Sequence, residues 1–290
     1  MKILILGATG MLGYSLFSNL NEQNHLSVFC TVRNITGKEK FFRNVQRKII
    51  TGVHAYDISS LQHAIETVVP DIVINCVGLI KQHGISNQHI DAIKINALLP
   101  HEIANICDKV NAKLIHFSTD CVFTGDVGLY NEYSLPDALD LYGKSKFLGE
   151  VGYGKHLTLR TSIIGHELNS AVSLVDWFLS QGENINGFSK AVFSGLPTCY
   201  ISKVLVEYIL PNPELAGVLH LSADPIDKYS LLKLIAEQYQ KKITITDSQE
   251  LVIDRSLNSN KFRQSTQYNP PVWSELVEYM HTDYVKRYKA

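Results

Sequence analysis

The sequence predicts an α/β protein with a doubly wound parallel sheet and a second, smaller lobe in the C-terminal part of the chain. Three observations indicate this fold class. Short apolar runs rich in Val, Ile and Leu recur without strict polar alternation, amphipathic segments separate them, and three evenly spaced glycines follow the first run. Such runs are typical of parallel strands buried on both faces, and the helices between them cover those faces.

Strand and helix segments alternate through the first half of the chain, so right-handed crossovers are expected between successive strands. The predicted strands are KILIL (2–6), LSVFCTV (26–32), DIVINCV (71–77), AKLIHFS (112–118), HLTLR (156–160) and GVLHLS (217–222). The predicted helices are 11–23, 59–68, 91–110, 141–151, 227–240 and a last helix after a Pro-Pro turn. Pro100 predicts a kink or a new start in the third helix, because proline lacks the N–H of a helical hydrogen bond.

The composition excludes several classes of partner. With 27 Lys+Arg against 28 Asp+Glu, the chain has no excess positive charge for nucleic acid or an anionic membrane. No apolar stretch is as long as a membrane span, and the first apolar run ends at Gly7, too early for a signal peptide. Five scattered cysteines without a C-x-x-C pair are typical of reduced thiols, and no histidine pattern predicts a metal site. We expect a cytoplasmic protein that binds no metal.

The stretch KILILGATGMLG predicts a phosphate-binding turn between the first strand and the first helix. Glycines allow a tight bend and a close approach of backbone N–H groups to a ligand, and a helix N-terminus attracts phosphate. We expect Gly7, Gly10, Met11, Leu12 and Gly13 to hold the diphosphate of a dinucleotide. An ordinary tight turn is the alternative.

Arg33 indicates the type of dinucleotide. Twenty residues beyond Gly13, where an acidic residue would bind the ribose hydroxyl of NAD, the chain has Arg33. A guanidinium pairs with a 2′-phosphate, so we expect NADP, with NAD as the alternative. The NADP-binding, Rossmann-like domain is then predicted at 1–165 with about 190–222, and the substrate-binding lobe at about 166–189 and 223–290.

Two segments carry side chains suited to acid–base chemistry. Tyr142 and Lys146 are four residues apart in a predicted helix and share a face, where the ammonium would lower the pKa of the phenol. Ser118, Thr119 and Asp120 follow a predicted central strand, at the sheet edge where open α/β proteins bind ligands. The alternatives are an exposed Tyr–Lys pair and a capping hydroxyl.

These motifs together resemble the extended short-chain dehydrogenase/reductase family. The motifs are GATGMLG (7–13), NCVG (75–78), Asn96, STDCVF (118–123), YGKSK (142–146) and LRTS (159–162). Within the family, the segment from STDCVF to FLGE, with GLPT (195–198) and NSNKFRQSTQYNPPVW, is similar to the dTDP-4-dehydrorhamnose reductase branch. The resemblance covers essentially the whole chain.

The resemblance implies reduction by NADPH of the 4-keto group of a nucleotide-linked 6-deoxysugar in polysaccharide precursor synthesis. It implies that Tyr142 is the general acid, that Lys146 tunes it and binds the ribose, and that Thr119 polarises the carbonyl. The further residues that it assigns to the cofactor are Asp57 and Ile58 beside the adenine, and Cys76, Val77, Gly78, Asn96 and Thr161. Asp120 joins Thr119 and Tyr142 as a substrate-binding residue.

The resemblance leaves other activities open. Dehydratases of this superfamily have an Asp-Glu pair after the threonine, whereas here Cys121 follows Asp120, so dehydration is not expected. The alternatives are a sugar-nucleotide epimerase that retains its cofactor and a nucleotide-binding regulatory subunit without turnover. A homodimer is the one protein assembly that we consider, and the sequence names neither the sugar nor the base.

Overall fold

The computed structural model describes residues 1–43, 45–80 and 88–289. The strands are β1 (Lys2–Leu6), β2 (Ser27–Thr31), β3 (Ile49–Ile50), β4 (Ile72–Asn75), β5 (Lys113–Thr119), β6 (Leu157–Thr161), β7 (Ile163–Ile164), β8 (Asn184–Phe188), β9 (Ala191–Phe193), β10 (Leu196–Pro197), β11 (Gly217–His220), β12 (Ile226–Asp227), β13 (Thr244–Ser248) and β14 (Ile253–Asp254). The helices are α1 (Met11–Leu20), α2 (Ile58–Val68), α3 (His89–Asp91), α4 (Leu99–Lys109), α5 (Leu141–Leu148), α6 (Leu174–Ser180), α7 (Thr198–Val204), α8 (Lys228–Gln238), α9 (Asn260–Thr266) and α10 (Trp273–Arg287).

Seven strands form one sheet in the order β11-β6-β5-β4-β1-β2-β3, and every neighbouring pair is parallel. The strand order reverses between β1 and β4, because the chain first adds β2 and β3 on one side and then β4, β5 and β6 on the other. The carboxyl ends of strands beside such a reversal form the crevice in which doubly wound proteins bind ligands. The predicted fold class is confirmed.

Both faces of the sheet are covered by apolar side chains. In β1, Ile3 and Ile5 pack into the core on one face, and Leu4 and Leu6 pack into the core on the other. All four side chains are fully buried. This burial on both faces explains why the strand has an unbroken apolar run instead of an alternating pattern.

The helix predicted at 91–110 is formed from three consecutive segments. α3 continues into a π-helical stretch at Ala92–Leu98, and α4 follows directly, with Pro100 in its first turn. Proline is tolerated at that position because the N–H that it lacks has no partner in a regular first turn. Pro100 therefore lies at the junction where the π-helical stretch gives way to α4, within a helical run that continues through it.

The C-terminal half contains small sheets that the sequence did not predict. β12, β9 and β14 form one sheet, while β13 pairs with β8 and β10 with β7. β14 and the chain after it also hold the loop that follows β5, since Asp254 N donates to Gly125 O at 2.7 Å and Asn258 N donates to Tyr130 O at 2.7 Å. None of the described helices combines the length and the hydropathy needed to cross a membrane.

Candidate active site

The glycine turn between β1 and α1 has the geometry of a phosphate cradle. Gly7 has a φ of +83°, and a Cβ there would lie 2.9 Å from Val77 Cγ2. A Cβ on Gly13 would overlap Gly7 O, so helix and strand pack too closely for a side chain. At the exposed Gly10, in contrast, a Cβ would meet only Gly7 O, at 3.7 Å.

The N-terminus of α1 is suited to an anion. No side chain caps it, and its first turn contains no acidic residue. The N–H groups of Met11 and Leu12 therefore face a surface that Gly10 leaves open. These residues fit the diphosphate of a dinucleotide.

The three residues assigned to the adenosine half lie near strand and helix ends. Arg33 is exposed two residues after β2, and in the described part of the chain its guanidinium has no hydrogen bond or ion pair. Asp57 caps α2, accepting from Ser59 N at 3.1 Å and from Ser60 N at 3.3 Å, and Ile58 begins that helix. The Asp57 carboxylate thus has a structural role that the sequence reading did not assign.

The segment after β4 is held by Asn96. Its side-chain oxygen accepts from Leu79 N at 2.8 Å, and its amide nitrogen donates to Leu79 O and to Ser145 Oγ. Because all of these hydrogen bonds go to protein atoms, Asn96 positions the Cys76–Gly78 segment and α5 relative to each other. A Cβ on Gly78 would lie 3.9 Å from Lys146 Nζ, so this segment passes beside the lysine.

The Thr119 hydroxyl lies at the centre of a hydrogen-bonded cluster at the end of β5. It accepts from Cys121 N at 3.1 Å and donates to Asp120 Oδ1 at 3.1 Å. It is also in side-chain hydrogen-bonding contact with Tyr142. Thr161 pairs with Thr119 in the sheet, and its hydroxyl donates to Ser162 O.

Tyr142 is a protonated donor at neutral pH. Burial raises the pKa of its phenol most, Cys121 and Asp120 raise it further, and the interaction with Thr119 only partly opposes them. The net shift is therefore opposite to the lowered pKa that the sequence predicted for Tyr142. A raised pKa suits a group that must hold a proton until it donates it.

The side chain of Lys146 is hydrogen-bonded to the backbone of β5. Its Nζ donates to Phe117 O at 2.7 Å. Burial lowers the pKa of Lys146 to about 8, although the charges of Glu150 and Cys76 oppose this. The lysine is therefore a group whose charge depends on pH near the physiological range.

The sequence reading missed Arg255. Arg255 Nε donates to Phe123 O at 2.9 Å, and Nη1 lies 3.8 Å from Cys121 Sγ. Its charge lowers the pKa of Asp120, against the larger effect of burial, which raises it. No local motif predicts that Arg255 contacts this site, because it lies 134 residues from Cys121 in the sequence.

A buried ion pair supports the end of β5 from below. Glu150 accepts from Arg160 Nε and Nη2, each at 2.7 Å, and from Ser118 Oγ at 2.6 Å. Ser118 is thus committed to this network and is not available to a substrate. Arg160 Nη1 lies 3.3 Å from His220 Nε2, and burial lowers the pKa of His220 to about 3, so that the imidazole is neutral.

No group of three or more His, Cys, Asp or Glu side chains in the described ranges could hold a metal ion. All five cysteines are free, and burial raises the pKa of Cys121 to about 12, so its thiol is protonated.

Comparison with known proteins gives one family and several relatives. The family model described as the RmlD substrate binding domain matches residues 1–285. Methionine adenosyltransferase 2 subunit beta of Pongo abelii is 25% identical over 285 residues, covering 89% of this chain and 79% of that protein. The probable low-salt glycan biosynthesis reductase Agl14 of Haloferax volcanii is 30% identical over 154 residues, covering 52% of this chain and 48% of that protein.

The fold is shared with solved structures. The crystal structure of dTDP-4-dehydrorhamnose reductase from Bacillus anthracis in complex with NADP superimposes with a TM-score of 0.78 and 22% sequence identity. The match covers 97% of this chain and 99% of the other.

Proposed function

The chain belongs to the family of the RmlD substrate binding domain, and from this premise we propose that it reduces the 4-keto group of a nucleotide-linked 6-deoxysugar with NADPH. The observation that carries the proposal is the pair of hydroxyls on Thr119 and Tyr142. The Thr119 side chain is close enough to the Tyr142 phenol to lower its pKa, and both lie at the carboxyl edge of the sheet, near the point where the strand order reverses. The scattered free cysteines support a cytoplasmic location.

The cofactor is assigned to the crevice above β1, β2 and β4. Gly7, Gly10 and Gly13 with the N-terminus of α1 would hold the diphosphate, and Arg33 would bind the 2′-phosphate. NADPH, when bound, supplies the hydride. NAD remains the alternative cofactor, because the assignment of NADP depends on the single side chain of Arg33.

Acid catalysis falls to the two hydroxyls. As negative charge develops on the keto oxygen, Tyr142 donates its proton and Thr119 donates a hydrogen bond. The raised pKa of Tyr142 keeps that proton in place until the charge appears. Lys146 would bind the ribose, since it lies beside Gly78 at the edge of the cofactor crevice.

Dehydration is not part of the proposal. The residue after Asp120 is Cys121, whose pKa is raised to about 12 by burial, so the Asp-Glu pair of the dehydratases is missing here.

Net consumption of NADPH with a panel of keto-sugar nucleotides tests the proposal. We expect NADPH oxidation in stoichiometric proportion to the alcohol formed with at least one dTDP- or UDP-linked 4-keto-6-deoxysugar. Formation of an epimer without net oxidation would support the sugar-nucleotide epimerase instead. Binding without either product would refute both enzymatic functions.

A second candidate function is a nucleotide-binding regulatory subunit. The similarity to methionine adenosyltransferase 2 subunit beta, which spans 89% of this chain, favours it. This candidate predicts that the protein binds NADP and associates with a catalytic partner, but shows no turnover with any keto-sugar nucleotide. The same panel of substrates therefore distinguishes the two candidates.

A further inference from the structure

The hydroxyl of Thr119 links two groups that can each carry a proton. On one side it is hydrogen-bonded to Asp120 Oδ1 at 3.1 Å, and on the other side it contacts the phenol of Tyr142. Asp120 and Thr119 are both buried. The three groups form a continuous chain from a buried carboxyl to the proposed proton donor.

The group to which the Thr119 hydroxyl donates its hydrogen depends on the protonation of Asp120. When Asp120 is a carboxylate, the Thr119 O–H points to it, and Thr119 has no hydrogen for a substrate. When Asp120 is protonated, its own O–H can donate to Thr119 Oγ1. The Thr119 O–H is then released towards Tyr142 and the substrate oxygen.

The surroundings of Asp120 support both states. Burial raises its pKa and favours the protonated form, while hydrogen bonds from Thr119, Cys121 and Ser162 favour the carboxylate. Arg255 is the cation among the groups that act on Asp120, and it arrives from the segment after β14. A carboxylate formed there has a counter-charge already in place.

We propose that Asp120, through the hydroxyl of Thr119, returns a proton to Tyr142 after each reduction, and that Arg255 stabilises the carboxylate that remains. The inference deepens the proposed reductase function and depends on it.

Every proton is accounted for over one catalytic cycle. Tyr142 gives its proton to the oxygen of the newly formed alkoxide and becomes a tyrosinate. Thr119 passes its hydroxyl proton to the tyrosinate and takes the proton of Asp120 in the same shift. Asp120 is left as a carboxylate and regains a proton from water before the next cycle, so each alcohol formed consumes one solvent proton.

Lys146 does not serve this purpose in the cofactor-free protein. Its Nζ is bound to Phe117 O. The side chains with the largest effects on the pKa of the Tyr142 phenol are Cys121, Thr119, Asp120 and Asp140. The geometry therefore leads from Tyr142 to Asp120.

Asp120→Asn separates proton return from positioning. The amide preserves the shape and can accept the Thr119 hydrogen bond, but it cannot give up a proton. In rapid-mixing experiments we expect a burst of one NADPH oxidised per site, because Tyr142 still holds its own proton, and then a steady-state rate slower by roughly 10². Asp137→Asn, which removes an exposed carboxylate bonded to Thr124, is the matched control and should show wild-type kinetics.

Equal slowing of the first and later turnovers in Asp120→Asn would mean that Asp120 only positions Thr119. Unchanged kinetics would also overturn the inference.

Infrared spectroscopy tests Asp120 without any substrate. In the difference spectrum between wild type and Asp120→Asn, we expect the carbonyl band of a protonated carboxyl group near neutral pH. In Arg255→Gln the band should persist to higher pH, because removal of the cation disfavours the carboxylate. Absence of the band throughout the range of stability would exclude proton donation by Asp120. This result is independent of whether keto-sugar nucleotides are substrates.

Discussion

At the scale of single residues, burial has opposite effects on the pKa values of Tyr142, the proposed proton donor, and Lys146. Burial keeps the proton on Tyr142, whereas burial of Lys146 lowers its pKa to about 8. The two side chains are four residues apart on α5, yet Lys146 Nζ is turned to Phe117 O. Sequence spacing brings two residues to one helix face, but it does not determine which atoms their terminal groups contact.

Arg33 carries the preference for NADPH. The guanidinium is exposed and has no partner in the described residues, so Arg33→Ala should leave the fold unchanged. We expect NADPH binding to weaken by about 1–3 kcal/mol, the scale of a charge-assisted hydrogen bond, with little change for NADH. Calorimetric titration with both cofactors measures this difference. Equal affinity of the wild type for NADPH and NADH would contradict the role of Arg33.

The sequence predicted the proposed catalytic side chains better than the residues that hold them in position. Thr119 and Tyr142 could be assigned because the periodicity of the sequence predicts both the end of β5 and the face of α5. The structure brings the two side chains together. The assignment of Asn96 to the cofactor remains a prediction, and the structure adds a supporting role, since its side-chain amide is hydrogen-bonded to Leu79 and Ser145. Arg255 was missed because a contact across 134 residues leaves no local pattern.

At the scale of elements, the β1–α1 turn assigns different roles to its glycines. Gly13 is required for packing, because a Cβ there would overlap Gly7 O. Gly10 is extended, with φ −85° and ψ 165°, and is exposed, so another residue fits the backbone there. The spacing of the glycines predicts the turn, but only the structure separates these two roles.

Substitutions in this turn should separate binding from stability. Gly10→Val should unfold like the wild type but lose cofactor binding, because its side chain occupies the space in front of the α1 N-terminus. Gly13→Ala should lower the free energy of unfolding by about 1–3 kcal/mol, the usual cost of overpacking. Denaturant unfolding and NADP titration of both variants check this. Normal NADP binding by Gly10→Val would place the phosphate elsewhere.

At the scale of the whole molecule, the parallel sheet was predictable and the smaller sheets were not. The sequence of β1 predicts a strand because both of its faces are buried, whereas β8 and β13, of the same length, are partly exposed and contain polar residues, so they have no apolar run. The division into two lobes remains a prediction. The contact between Arg255 and the Cys121 turn joins the C-terminal segment to the proposed site.

The stability of the cofactor-free protein should depend on Lys146. Burial lowers its pKa from 10.5 to about 8, so between these values the unfolded chain binds a proton that the native state has lost. The free energy of unfolding should therefore gain up to roughly 3 kcal/mol as pH rises through this window. In Lys146→Met this gain should disappear, which denaturant unfolding at a series of pH values measures. The same gain in both proteins would mean that Lys146 is solvated.

The turnover of Tyr142→Phe with NADPH and a keto-sugar nucleotide that the wild type reduces tests the proposed mechanism most directly. The variant keeps the ring and its packing but loses the hydroxyl that contacts Thr119. We predict that NADPH affinity stays within experimental error, whereas turnover falls by roughly 10²–10⁴, the usual contribution of a positioned acid. Full turnover by Tyr142→Phe would contradict the account, because another group would then have to protonate the keto oxygen.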